Sequence, residues 1–216
     1  MTITQNHIIE GLALISSIIF WKDIKKGGLR WLPFFLFFIL CVELSGTYFK
    51  HTPYANAKIY NISIPIEYLF YFLLFRLNGK KIARVFSMIC SLLLVICAIY
   101  YYITIPIRNF HDKVLLFGQI SVILCCCIYF FEKFRHVDDE PLLQDPFFWI
   151  CSGLLLFNLE DFVYFLLLDL IKANQWDPHD KWFKAINNSL LILLYLSYII
   201  AILIYRKNKQ RNAARL

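Results

Sequence analysis

Charge is scarce in this chain. Only 17% of its 216 residues are Asp, Glu, Lys or Arg, and 60% are hydrophobic. Soluble domains carry about 25% charged and about 45–50% apolar residues, so the composition excludes an ordinary water-soluble domain and points to a bilayer as solvent. Gly-rich phosphate loops are missing, and no serine sits in a Gly-x-Ser-x-Gly elbow. No Cys-x-x-Cys metal pattern occurs. Although the net charge is +7, no basic groove interleaved with aromatics is visible, which argues against a nucleic-acid partner. The N-terminal stretch lacks a basic n-region and an Ala-x-Ala site, and carries Glu10 where a signal peptide would be apolar. The first apolar segment is therefore expected to stay on the chain. No cofactor is expected.

The seven cysteines (Cys41, Cys90, Cys97, Cys125, Cys126, Cys127 and Cys151) all fall in apolar segments. Cys125 to Cys127 fan around a helix at about 100° per residue. They read as small buried hydrophobes rather than a metal site.

What the chain has in abundance is long apolar runs. They read as seven transmembrane helices at about 3–21, 31–49, 61–75, 82–105, 114–131, 146–171 and 186–205. One set of loops holds fifteen cations: Lys22, Lys25, Lys26, Arg30, Arg76, Lys80, Lys81, Arg84, Lys133, Arg135, Arg206, Lys207, Lys209, Arg211 and Arg215. The other set holds seven: Lys50, Lys58, Arg108, Lys113, Lys172, Lys181 and Lys184. The richer side is cytoplasmic by the positive-inside rule, which puts the N-terminus outside and the C-terminus inside. The expected fold is an all-α membrane protein: residues 1–205 form a seven-helix transmembrane domain and 206–216 a basic cytoplasmic tail. Tyr48, Tyr60, Tyr100 to Tyr102, Trp176 and Trp182 would anchor the outer interface, and Trp21, Trp31, Trp149 and Tyr205 the inner one.

An internal repeat is suggested. Pro33-Phe-Phe-Leu opens the second span and Pro146-Phe-Phe-Trp the sixth. Asn61-Ile-Ser63 opens the third and Asn187-Asn-Ser189 the seventh. A 3+1+3 arrangement follows, with the fourth span as connector. Parallel repeats of this kind occur in small sugar transporters, but the proline–glutamine signature of those transporters is missing. Chance alignment of Phe/Leu/Ile-rich spans is the competing explanation.

Acids inside apolar runs are the chemical signal. Glu10, Glu43, Glu67, Glu160 and Asp161 each interrupt a stretch otherwise fit for lipid, where a carboxylate costs about 2.5–3.5 kcal/mol even on a lenient insertion scale. Counted from the inner aromatic or basic anchors, all five lie roughly 13–18 Å above the inner boundary. Gln119 and Asn158 fall near the same level. Ser63, Glu67 and Tyr71 share a helix face, as do Glu43 and Thr47, and Asn158, Asp161 and Tyr164. Glu160 and Asp161 diverge by about 100°, so at most one points straight inward. The economical arrangement is a shared hydrated pocket in which the carboxylates cannot all carry charge. A proton relay, a cation site or a pocket for an amine-bearing ligand would follow. Glu10, Glu43, Glu67, Asp161, Glu160, Asn158, Gln119 and Asn187 are the candidate binding residues. The plainer alternative is that single acids pair with Asn, Ser or Tyr between helices and fix packing.

His7 and Glu10, three apart, are weak metal candidates within a helical bundle. His51, His111 and His179 fall in outer loops, from which they could fold over a cavity mouth. The stretch Glu132 to Asp145 reads as a solvated inner connector or a dock for a cytoplasmic signalling partner. The stretch 172–185 reads as an interfacial loop or a lid.

At Tyr60-Asn-Ile-Ser-Ile-Pro-Ile-Glu67, Pro146-Phe-Phe-Trp149 through Gly153, and Trp182 through Asn187, the chain resembles a group of uncharacterised small seven-helix bacterial inner-membrane proteins. That resemblance implies multi-pass insertion in the cytoplasmic membrane and, because members are often encoded near sensor-kinase genes, a role in signalling. Glu160 and Asp161 depart from the small polar residues expected there. The functional expectation is a receptor-like or sensory accessory protein with an outward-facing acidic pocket. A proton-coupled small-solute transporter is the alternative, and an intramembrane hydrolase or metal-dependent enzyme the third. The expected partners are the lipid bilayer and a small ligand or ion.

Overall fold

The computed structural model describes residues 5–49, 51–135, 141–176 and 181–213. Lys50, His179, Arg215, the start of the first apolar run, residues 136–140 of the inner connector and 177–180 of the outer loop lie outside them. Among the described residues the chain is helical and has no strand. The helices are α1 (Gln5–Ile19), α2 (Trp21–Ile24), α3 (Leu32–Tyr48), α4 (Pro53–Asn78), α5 (Lys81–Thr104), α6 (Asp112–Arg135), α7 (Pro146–Ala173) and α8 (Lys181–Ala213), with a 3₁₀ turn at Leu142–Gln144 before α7.

Four segments are long and apolar enough to cross a membrane: Lys81–Thr104, Asp112–Arg135, Pro146–Leu168 and Lys184–Ala213. Helix α3 is apolar but shorter, at 17 residues, and α1 has 15. Helix α4 has 26 residues, with asparagines, a lysine and serine along its first half. The surface matches this composition. Ile82, Val85, Met88, Ile89, Leu92, Leu93, Ile96, Ile99 and Ile103 line α5 exposed. Water does not favour so continuous an apolar face, whereas lipid does. With no solvent to satisfy the backbone in hydrocarbon, helix is the form these segments take.

Several boundaries move outward from those the apolar pattern predicts. Tyr54 to Tyr60 belong to α4, which Pro53 opens at a position where its missing N–H costs nothing. Glu132, Lys133 and Arg135 are the last turn of α6 rather than a connector. Of the 172–185 stretch, Lys172 and Ala173 end α7 and Lys181 to Ala185 open α8, with Trp182 among them. The basic residues after Tyr205 continue α8 through Ala213. Hydropathy misses these turns because a helix runs past its apolar stripe wherever capping and end contacts hold it.

Helix α1 packs against α3 and α8, α3 against α4, α4 against α5 and α6, α6 against α5 and α7, and α7 against α8. Helices α1, α3, α4, α6, α7 and α8 thus close a ring, and α5 packs on its outside against α4 and α6. At one end, Asn78 Nδ2 donates to Gly28 O (3.3 Å) and Lys209 pairs with Asp23 (3.1 Å). Arg211 donates to Gln144 Oε1 (2.8 Å), and Lys133 pairs with Asp145 (2.8 Å). Asp145 also takes the Phe147 N–H (2.9 Å), capping α7. These are the loops that carry the richer set of cations.

The opposite end is organised by Asn61. Pro65 has no N–H, so the Asn61 carbonyl one turn earlier has no intrahelical donor. The Tyr102 hydroxyl of α5 donates to it instead. The Asn61 side chain donates to Ile107 O (3.0 Å) and Asn109 O (2.7 Å) and accepts from His111 N (2.9 Å), fixing the α5–α6 loop. Tyr102→Phe leaves that carbonyl unpaired and should lower stability by about 1 kcal/mol. Thermal unfolding in detergent reads this directly; an unchanged midpoint would contradict it.

Candidate functional site

Four of the predicted acids come from four helices of the ring, and each faces inward. Glu10 on α1 is only 2% exposed. It lies within electrostatic range of Glu43 on α3 and Glu67 on α4. Glu67 in turn lies within range of Glu43 and of Asp161 on α7. Glu10, Glu43, Glu67 and Asp161 thus act on one another electrostatically across the bundle.

Their hydrogen bonds come from residues the periodicity only partly exposes. Tyr60 reads as an interface anchor, yet its hydroxyl reaches Glu43 Oε2 (3.4 Å). Tyr71 donates to Glu67 Oε1 (2.5 Å) across one helical turn, the pairing their spacing predicts. Gln119, fully buried on α6, donates to Asp161 Oδ2 (3.2 Å). Tyr68 donates to Asn158 Oδ1 (3.3 Å), and Asn158 Nδ2 is spent on Leu154 O one turn back (2.8 Å). Tyr195 and Tyr198 of α8 are buried beside the same group. Tyr195 lies within electrostatic range of Glu10, Glu43 and Glu67. Sequence reasoning placed Tyr71 on the face of Glu67 but missed Tyr60, Tyr68, Tyr195 and Tyr198 as members of this shell. The available signal for the last two was the three-residue step from Tyr195 to Tyr198.

Among the described residues, unpaired acceptors outnumber unpaired donors at the site, where the buried Tyr198 hydroxyl is the donor left without a partner. Glu10 Oε2, Gln119 Oε1 and Asp161 Oδ1 are buried and take no hydrogen bond among the described residues, and Asn187 Oδ1 is in the same state on α8. All four are acceptor oxygens. Buried polar atoms without partners are costly, and what satisfies these is a donor: a proton, a cation, water or an ammonium group.

Other candidates are placed elsewhere. Glu160 follows the helical divergence from Asp161 and lines a groove between α7 and α8. His7 Nε2 lies 3.3 Å from Thr47 Oγ1. Among the described residues no group of three or more His, Cys, Asp or Glu side chains is placed to hold a metal. His111 does not cover the acids: it is buried against Tyr101 and Tyr102, with ring centroids 5.9 and 5.4 Å away, because Asn61 holds its backbone. His51 is exposed. All seven cysteines are free thiols; Cys90, Cys125, Cys126 and Cys151 are buried as expected of small hydrophobes, whereas Cys41 and Cys127 are exposed, Cys127 because the run fans around α6.

No protein-family model, no curated protein and no solved structure matches this chain.

Proposed function

We propose that this chain is a multi-pass protein of a bacterial inner membrane that binds a proton, a cation or an amine-bearing ligand in an outward-facing acidic pocket. Seven helices would cross, with the N-terminus outside. The fifteen cations of one loop set support that orientation. The observation that carries the functional reading is the surplus of buried acceptor oxygens at Glu10, Gln119 and Asp161 beside Glu43 and Glu67. A cationic or protonated guest supplies the donors this surplus lacks. Occupancy would tie α1, α3, α4, α6 and α7 together, and the change in packing would be read at the cytoplasmic ends by a signalling partner. This is a receptor-like or sensory role.

A direct test uses the full chain in lipid nanodiscs, with thermal unfolding followed across monovalent and divalent cations, short alkylamines, polyamines and pH. A guest held at a hundred times its Kd should stabilise the fold by about 2.7 kcal/mol, and Glu67→Gln should remove most of that gain. Stability that stays flat across the whole panel would sink the reading.

A specific observation also favours proton-coupled transport of a small solute. Helices α1, α3 and α4 form one triple and α6, α7 and α8 another, and the triples meet where α1 touches α8 and α6 touches α4. That pairing is what a 3+1+3 parallel repeat with α5 as connector requires. Transport predicts solute movement into liposomes under a pH gradient, lost in Glu67→Gln; binding without flux would leave the sensory reading standing alone.

A further inference from the structure

We propose that the groove between α7 and α8 is a second, lipid-facing site that takes the amine head and first carbons of a single-chain lipophilic amine, with Glu160 as its anion. The groove has a volume of about 450 Å³, within the range of roughly 300–1,000 Å³ that small-molecule sites occupy. Leu156, Leu159, Val163 and Leu167 of α7 form one wall, Ile186 and Leu190 of α8 the other. All four of the α7 residues are exposed on the outside of the bundle, so a guest reaches them from the side.

One acid interrupts this lining, on the wall that also carries the Tyr164 ring. Glu160 Oε2 is shielded and has no hydrogen bond among the described residues. It sits fourteen residues into the 28-residue helix α7, far from either interface if α7 spans the bilayer. Asp161, turned about 100° away, is engaged by Gln119 on the inner side, so the two acids serve different spaces.

Charge complementarity selects the occupant. A fatty acid or an alcohol brings no base to take the Glu160 proton, so neither forms an ion pair there. A primary alkylamine fits both parts: the chain matches the apolar walls, and the nitrogen supplies donors to the shielded oxygen. Such an amine crosses the bilayer uncharged. At Glu160 the carboxyl O–H bond breaks and an N–H bond forms, giving an ammonium–carboxylate pair with no net charge. A charge-assisted hydrogen bond of that kind is the strong sort.

The test uses a dodecylamine analogue with a photoreactive diazirine in its chain and the matching dodecanol analogue, each with the full chain in nanodiscs. Labelled peptides are mapped by mass spectrometry. The amine should label α7 and α8 around Val163, Leu167, Ile186 and Leu190, about tenfold more than the alcohol does. Glu160→Gln should bring it down to the alcohol's level. Val163→Trp, which fills the groove and keeps Glu160, should block labelling by both probes. Glu67→Gln should leave labelling unchanged, which separates this site from the pocket inside the ring. Equal labelling by the alcohol, retention in Glu160→Gln, or loss in Glu67→Gln would each overturn the proposal. So would a dimer of the full chain in nanodiscs that excludes both probes from the groove and that Val163→Trp abolishes.

Discussion

Glu132→Ala should destabilise the protein by about 3 kcal/mol. Glu132 is 5% exposed on the last turn of α6. Its two carboxylate oxygens accept the Ile82 and Ala83 N–H groups, both at 2.9 Å. Those are first-turn donors of α5, which have no intrahelical acceptor. No side chain of its own caps α5, so α6 supplies the cap. The carboxylate also faces the positive end of the α5 dipole. Alanine removes two charge-assisted bonds at once and leaves the Ile82 N–H and the buried Ala83 N–H unpaired. Unfolding in detergent should show the loss, and hydrogen exchange should rise at the start of α5. Glu132→Gln, which keeps one acceptor, should lose roughly half as much. A change below about 0.5 kcal/mol in the alanine variant, the size of an ordinary surface substitution, would contradict this.

Gly118→Leu should cost a similar amount, about 3 kcal/mol, and should also damage the proposed pocket. A Cβ on Gly118 would stand 2.4 Å from Tyr68 Cδ2, with two further ring atoms within 2.6 Å. Gly118 is where α6 comes close enough to α4 for the Tyr68 ring to lie on its backbone, the small-residue contact that packs helices in lipid. Tyr68 cannot swing aside freely. It is buried, its hydroxyl is held by Asn158, and it follows Glu67 directly in the chain. A branched side chain at 118 therefore pushes α4 from α6 and moves Glu67 away from Asp161. Ligand-dependent stabilisation should fall together with basal stability. Gly118→Ala combined with Tyr68→Leu should recover part of both, because leucine can yield where the aromatic ring cannot. Full stability and full binding in Gly118→Leu would mean the close approach carries no weight.

The helices were legible because hydrophobic runs in this chain are long and acids in them are few. Glu43, Glu67 and Asp161 announce themselves as interruptions, and the four-residue step to Tyr71 foretells the Glu67 hydrogen bond. The role of Asn61 was not legible. It depends on Pro65 withholding a donor one turn away and on Tyr102 arriving from α5, a contact between residues 41 apart in sequence. Glu132 looked like part of a solvated charge run because its partners are backbone groups fifty positions away. Periodicity cannot show such a cap. Tyr60 looked like an interface anchor because composition alone does not say which way a tyrosine at a helix end turns. Glu160 looked like a fifth member of the acid layer. Depth is shared along one helix, but direction rotates by about 100° per residue, and that rotation sends it to the α7–α8 groove.

Infrared difference spectroscopy of the carboxyl band through a pH step, on the full chain in lipid, tests convergence most directly. Neighbouring acids titrate as a set and not singly. Substituting Gln for Glu10, Glu43 or Glu67 in turn should delete one component and shift the components that remain, whereas Glu160→Gln should disturb them far less. If each substitution removes its own component and leaves the rest where they were, the acids stand apart and no common pocket exists.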